Sequence, residues 1–166
     1  MYYDLDIRAY FITFTSYGTW LHGDERGSVD DQHCIPGLPF APPNMNRESA
    51  NREAMKWPAF TLDAKARGVV DKTIREVCDH RGWSLIALNV RTNHVHVVVN
   101  APVSADKVMN DLKAWTTRRL REAGCRAVKA PVWTEGGSKH KLFTAEAVTA
   151  AAHYTIVGQG PDLPRE

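Results

Sequence analysis

Two histidines separated by one residue, in Asn93-His94-Val95-His96-Val97-Val98-Val99-Asn100, are the residues of this chain best suited to chemistry. The β-branched run Val97–Val99, with the apolar stretch Leu85 to Val90 just upstream, reads as a strand in a sheet. Side chains alternate faces along a strand, so His94 and His96 point the same way, about 7 Å apart along the chain. Val95, Val97 and Val99 then form the opposite, buried face. The pair is either two surface histidines or two ligands of one divalent metal with room for a third. Farther on, Ala151-Ala152-His153-Tyr154 places a phenol after small residues on a helix. A tyrosine is a weak nucleophile at its free pKa of about 10 and needs a nearby cation or a polarised electrophile. A metal on the two histidines could meet that need at a scissile phosphate. Without it, Tyr154 is an ordinary packed helical tyrosine.

The elements that must position these residues follow from pattern. Ala9 to Thr15 is rich in β-formers and reads as the first strand. Residues 22 to about 60 look irregular, because Pro36, Pro39, Pro42 and Pro43 forbid regular pairing. Trp20, Phe40, Trp57 and Phe60 in or beside that stretch argue for a partly packed excursion within a single domain spanning residues 1–166. Thr61 is the expected N-cap, with Asp63 in the first turn, of a helix running to about Arg81, whose buried stripe is Ala66, Val70, Ile74, Val77 and Cys78. Gly82 stops it. Trp83 to Val90 is the second strand and Arg91-Thr92-Asn93 a tight turn into its partner, His94 to Asn100. Ser104 caps a second helix to about Ala123, apolar along Val108, Leu112, Trp115 and Leu120. Val132-Trp133 and Leu142-Phe143 suggest a fourth strand, or a hairpin around Gly136-Gly137. Thr144 caps a final helix, Ala145 to about Val157, closed by Gly158, Gly160 and Pro161. Strand, helix, strand, strand, helix, strand, helix is the split β-α-β order, an α+β domain with its helices packed on an antiparallel, ferredoxin-like sheet.

Composition narrows the class. The chain has 166 residues, 43% hydrophobic and 24% charged, ordinary for a soluble domain with a sizeable core. No apolar run approaches the roughly 20 residues of a membrane span, and no charged-then-apolar leader opens the chain. The expected location is therefore cytoplasmic, nucleoid-associated if DNA is the partner. Three cysteines, Cys34, Cys78 and Cys125, with no Cys-x-x-Cys suggest neither a disulfide framework nor a thiolate zinc site. Net charge is only +2, yet residues 107–141 hold nine Lys/Arg against three acids. Directly downstream of the histidines, that excess is a solvated helix face or what a polyanion partner requires. A zinc hydrolase fits poorly, since there is no His-Glu-x-x-His and no acid beside the histidines. An RNA-binding split-βαβ module would need an aromatic-rich sheet motif that is absent.

Taken together, these residues resemble the HUH single-tyrosine transposases, and more closely the insertion-sequence-200-like family with its REP-associated tyrosine transposase branch. The likeness runs through Tyr10-Phe11-Ile12-Thr13-Phe14, Tyr17-Gly18-Thr19-Trp20-Leu21-His22-Gly23-Asp24, Leu88 to His96, Trp133-Thr134-Glu135-Gly136-Gly137-Ser138 and Tyr154. The resemblance implies an enzyme that cleaves single-stranded DNA and transfers the strand, with His94 and His96 binding Mg²⁺ or Mn²⁺. Tyr154 would attack the phosphodiester, leaving a 5′-phosphotyrosine link and a free 3′-hydroxyl. It implies a third ligand, often Gln or Asn one helical turn after the tyrosine. Here that position is Gly158 and the amide follows as Gln159, which points away along a straight helix. Gln159 serves if Gly158 breaks the helix, with His153 and His140 as substitutes. Lys113, Arg118, Arg119, Lys139 and Lys141 would then meet DNA phosphates, and Trp133 or Trp115 would pack in the core or stack on a base. The implied partner is single-stranded DNA with hairpin ends, and the family allows a homodimer. The departure at position 158 also leaves open a domesticated relative that binds structured single-stranded DNA without cutting it.

Overall fold

A computed structural model describes residues 6–19 and 56–159; most of the proline-rich excursion, with Trp20, Phe40 and Cys34, lies outside them. In chain order the elements are β1 (Ala9–Thr15), α1 (Ala64–Arg81), β2 (Ser84–Val90), β3 (His94–Asn100), α2 (Ala105–Glu122), β4 (Ser138–Leu142) and α3 (Ala145–Val157). The sheet order is β2-β3-β1-β4 with every neighbouring pair antiparallel. Each crossover helix thus joins two parallel strands with a third strand between them, the split β-α-β arrangement expected from the sequence. The two strands that face chemistry, β1 and β3, are the central pair.

Alternation on the strands sorts the molecule into two layers. Tyr10, Ile12, Phe14, Val95, Val97, Val99 and Leu88 face α1 and α2, where Val70, Ile74, Val108 and Leu112 complete the main core. Ala9, Ala87 and Val98 face the other way and meet Ala151 of α3. Val98 is as completely buried as its neighbours, so β3 is covered on both faces at its middle. Burial of each such side chain stabilises by roughly 1.5–3 kcal/mol.

Local signals set most boundaries. The side chains of Ser104 and Thr144 accept from the backbone N–H groups of Lys107 and Ala147 and start α2 and α3 as expected. Helix α1 differs: Asp63, not Thr61, is its cap, its carboxylate accepting from the Ala66 N–H at 2.8 Å. Both residue types cap well, and tertiary pairing decides between them. Leu62 is fully buried and donates its N–H to the Thr92 carbonyl at 2.7 Å, which ties the segment ahead of Asp63 to the β2–β3 turn.

The region around Gly136-Gly137 differs too. Trp133 makes only an isolated bridge to Ser16, and Ser138–Leu142 pairs with Ala9–Thr13. Both segments run along the same edge of β1, so the glycines interrupt one strand path rather than turn a hairpin. Gly136 and Gly137 have φ of 73° and 155°, and a Cβ on Gly137 would sit 2.6 Å from the Thr13 carbonyl oxygen. Only glycine lets the chain pass this close to β1. Trp133 is a core residue: its ring meets Phe14 edge-on at 4.8 Å and its Nε1–H donates to Thr116 Oγ1 at 3.0 Å. Trp115 is half-buried against the same core, with the Arg118 guanidinium 5.5 Å over its ring.

Candidate metal and nucleophile site

His94 and His96 lie on the α3 side of β3, as the alternation requires, with ring centroids 4.7 Å apart. Helix α3 ends at Val157; its cap Gly158 keeps a last N–H bond to the Tyr154 carbonyl, but its ψ of 0° departs from the helix and starts a turn. That turn carries Gln159 Oε1 to 3.0 Å from His96 Nε2 and 3.4 Å from His94 Nε2. The Gln159 amide nitrogen in turn donates to the Tyr154 carbonyl at 3.3 Å, fixing which end of the amide faces the imidazoles. The structure therefore brings together the two histidines and the glutamine that a straight helix would have carried away. Tyr154 stands beside them, its ring edge-on to His96 at 5.7 Å and to Phe11 at 6.0 Å, half exposed to solvent.

Hydrogen bonds behind the rings orient both imidazoles. His94 Nδ1 is 2.6 Å from Asn93 Oδ1, an oxygen that only accepts, so Nδ1 is a donor, and in the neutral ring Nε2 then keeps a lone pair. In that neutral form Nε2, 3.4 Å from Gln159 Oε1, presents its lone pair on the same side as the amide oxygen. His96 Nδ1 is 2.7 Å from the Thr13 hydroxyl, which can donate or accept and so permits either tautomer. Burial, followed by the charge of His94, lowers the His96 pKa to about 4, against a small opposing effect of Gln159. His96 is thus a neutral imidazole at physiological pH, the form that ligates metal. Thr13 and Asn93 are the residues that sequence reasoning missed; Asn93 adjoins the motif, whereas Thr13 is revealed only by its register opposite His96.

These donors fit a divalent cation. Two ligands at adjacent corners of an octahedron with bonds of about 2.1 Å lie roughly 3 Å apart, close to the separations here. Two imidazoles and an amide oxygen contribute no negative charge, so a bound cation would keep its full charge for an anionic substrate. The C-terminal end of α3 points its partial negative charge toward the same place. Among the described residues no cluster of three His, Cys, Asp or Glu side chains forms, so His140 does not join the pair as a third ligand. His153 lies on the opposite flank of α3, in a shallow groove of about 440 Å³ with Ile86, Val148 and Ile156.

Helix α3 is seated by two small contacts. Ala151 and Thr155, one turn apart, are its buried residues, and Asn89 of β2 donates its side-chain N–H to the Thr155 carbonyl at 2.9 Å. The alanines before Tyr154 thus let the helix approach the sheet closely.

The five basic residues singled out in the sequence are not gathered at the histidines. Lys113, Arg118 and Arg119 ride on α2, on the other side of the sheet. Lys139 and Lys141 pair with Ile12 and Tyr10 and share their face. Lys113 Nζ is spent on the carbonyls of Thr134, at 2.9 Å, and Gly136; burial, then the neighbouring Lys139, lowers its pKa to about 8. Arg118 and Arg119 both reach Glu122, and Lys139 pairs with Asp106. Lys141 is exposed and has no ion-pair partner among the described residues.

Comparison with known proteins agrees with this architecture. Residues 55–152 match the family described as "Transposase IS200 like", and the chain belongs to that family. The match spans both histidines and stops just short of Tyr154. No curated protein sequence matches the chain. Among solved structures, a crystal structure from Deinococcus radiodurans R1 assigned to the transposases has a TM-score of 0.51 at 12% identity, covering 88% of this chain and 86% of the other. A REP-associated tyrosine transposase bound to a REP hairpin gives 0.49 at 10% identity, covering 95% and 70%. No helix of the described residues is long and apolar enough to cross a membrane.

Proposed function

We propose that this transposase, of the REP-associated branch, cleaves and rejoins single-stranded DNA at hairpin ends through a phosphotyrosine link. The observation that carries this reading is the approach of Gln159 Oε1 to both Nε2 atoms, beside the exposed phenol of Tyr154. His94, His96 and Gln159 would hold Mg²⁺ or Mn²⁺, which when bound supplies Lewis-acid polarisation of a phosphodiester. Tyr154 Oη attacks phosphorus, the bond to the 3′-oxygen breaks, and the phenolic proton is balanced by the one gained by the departing 3′-hydroxyl. The DNA remains joined to Tyr154 through its 5′-phosphate, so reversal with another 3′-hydroxyl transfers the strand without ATP. Asn93 and Thr13 orient the imidazoles, and Asn89 and Gly158 set where the phenol stands.

A non-cutting DNA binder would draw its support from the glycine at position 158. That support weakens once Gln159 turns back to the histidines. The test is a denaturing gel with Mn²⁺ and labelled hairpin-ended single strands. The wild type is expected to form a protein–DNA adduct that mass spectrometry assigns to Tyr154. Tyr154→Phe should bind equally and form none, and His94→Ala should lose the metal-dependent reaction while remaining folded. Full adduct yield from Tyr154→Phe would place the nucleophile elsewhere, and no adduct from the wild type on any hairpin would favour the inert binder.

A further inference from the structure

Helix α3 packs mainly on β2 and β3 and reaches only the Ala9–Phe11 end of β1 and Leu142 of β4, so among the described residues no helix covers the rest of β1 and β4 on that face. The side chains there, Phe11, Thr13, Thr15, Ser138, His140 and Leu142, are all only half-buried, whereas Ile12 and Phe14 on the other face are buried to within 1%. This shelf adjoins the histidines directly. Phe11 lies 5.7 Å from His96 at an interplanar angle of 30°, and 6.1 Å from His140 at 33°. Three rings therefore cross three neighbouring strands in one gently tilted row, from the candidate metal site to the β4 edge. Tyr154 stands edge-on above the first two rings.

We propose that Phe11 and His140 form a stacking floor for the bases of single-stranded DNA next to the cleaved phosphate. This rests on the function proposed above, and adds where the strand leaves the site. Planar π-faces set side by side on a sheet accept any base, because every base has a face to stack. A strand crossing this floor runs off at β4, whose sequence Ser-Lys-His-Lys-Leu holds no acid, as β1 holds none. Lys141 is exposed on the other face of that same edge strand, so a polyanion that rounds the edge meets a cation there. His140, which is not a third ligand, acquires a role here.

The experiment measures fluorescence anisotropy of the full chain, in chelator, with labelled oligothymidylate and with an abasic oligodeoxynucleotide of equal length and charge. The wild type should prefer the thymidylate by about tenfold or more, the contribution of a stacked base. His140→Ala and Phe11→Leu should each lose most of that preference, with affinity for the abasic strand and the salt slope unchanged. Should thermal unfolding show that Phe11→Leu does not fold, His140→Ala at the half-exposed edge decides alone. Retention of the preference in the folded variants, or its absence in the wild type, overturns the floor. The Tyr154 adduct is scored separately. An adduct without base preference leaves the cleavage reading standing and removes the floor. Base preference lost in the variants, with no adduct ever formed, does the reverse.

Discussion

A methyl group on Gly158 would lie 2.9 Å from Cδ2 of Tyr154 and 2.8 Å from its carbonyl oxygen. The backbone there is relaxed, with φ of −75°, so the glycine is needed for space and not for its dihedral freedom. The ring and backbone of Tyr154 occupy the volume that a side chain would take.

Gly158→Ala should consequently push the Tyr154 ring and the Gln159 turn apart. Alanine also favours continued helix by roughly 1 kcal/mol, which carries Gln159 away from the imidazoles. The expected result is about tenfold weaker Mn²⁺ binding by calorimetry and a lower adduct yield, with the thermal midpoint little changed. Unaltered Mn²⁺ affinity would remove Gln159 from the ligand set.

Thr13→Val keeps the shape of the side chain and deletes the hydroxyl that meets His96 Nδ1 at 2.7 Å. Groups that orient a ligating imidazole typically contribute 10–100-fold to metal affinity. A loss of about that size is expected, and a valine variant that binds Mn²⁺ like the wild type would show that Thr13 only fills space.

His96 gives the folded state an acid-sensitive stability. Its pKa, about 4, lies below the ordinary 6.5, so on acidification the unfolded chain takes up the proton first. Stability from this group is complete above the unfolded value and falls as pH drops from 6.5 toward 4. Integrated over that window the loss is at most ~3 kcal/mol. Urea unfolding in chelator should show it, and His96→Leu should flatten the profile; an unchanged profile would mean that other groups carry the acid response.

Lys113→Met tests what the basic segment does. Its ammonium holds the Thr134 and Gly136 carbonyls against β1, so the variant should speed amide hydrogen exchange in β4. The salt slope of DNA binding, about −0.7 per phosphate on a single strand, should stay the same. A flatter slope would return Lys113 to the DNA interface.

Much of this was readable from local pattern. The shared face of His94 and His96 follows from strand periodicity alone, and the caps Ser104 and Thr144 need only their own neighbours. What could not be read depends on pairing between distant segments. Thr13 meets His96 across 83 residues, and Asn89 meets Thr155 across 66. The choice of Asp63 over Thr61 was made by Leu62 binding Thr92. Where the basic residues lie was not readable from proximity in sequence: the chain passes from β3 directly into a helix on the other side of the sheet, so residues that follow the histidines do not surround them.

The bond from Asn89 to the Thr155 carbonyl lies within one turn of both Tyr154 and Gln159, while the opposite end of α3, at Ala145 and Glu146, is exposed. Asn89 therefore ties to the sheet the very turn of the helix that carries the phenol, one residue away, and the glutamine, four residues on. A fold with so slight a helix–sheet contact keeps its reacting groups in register by where it is pinned rather than by how much it buries.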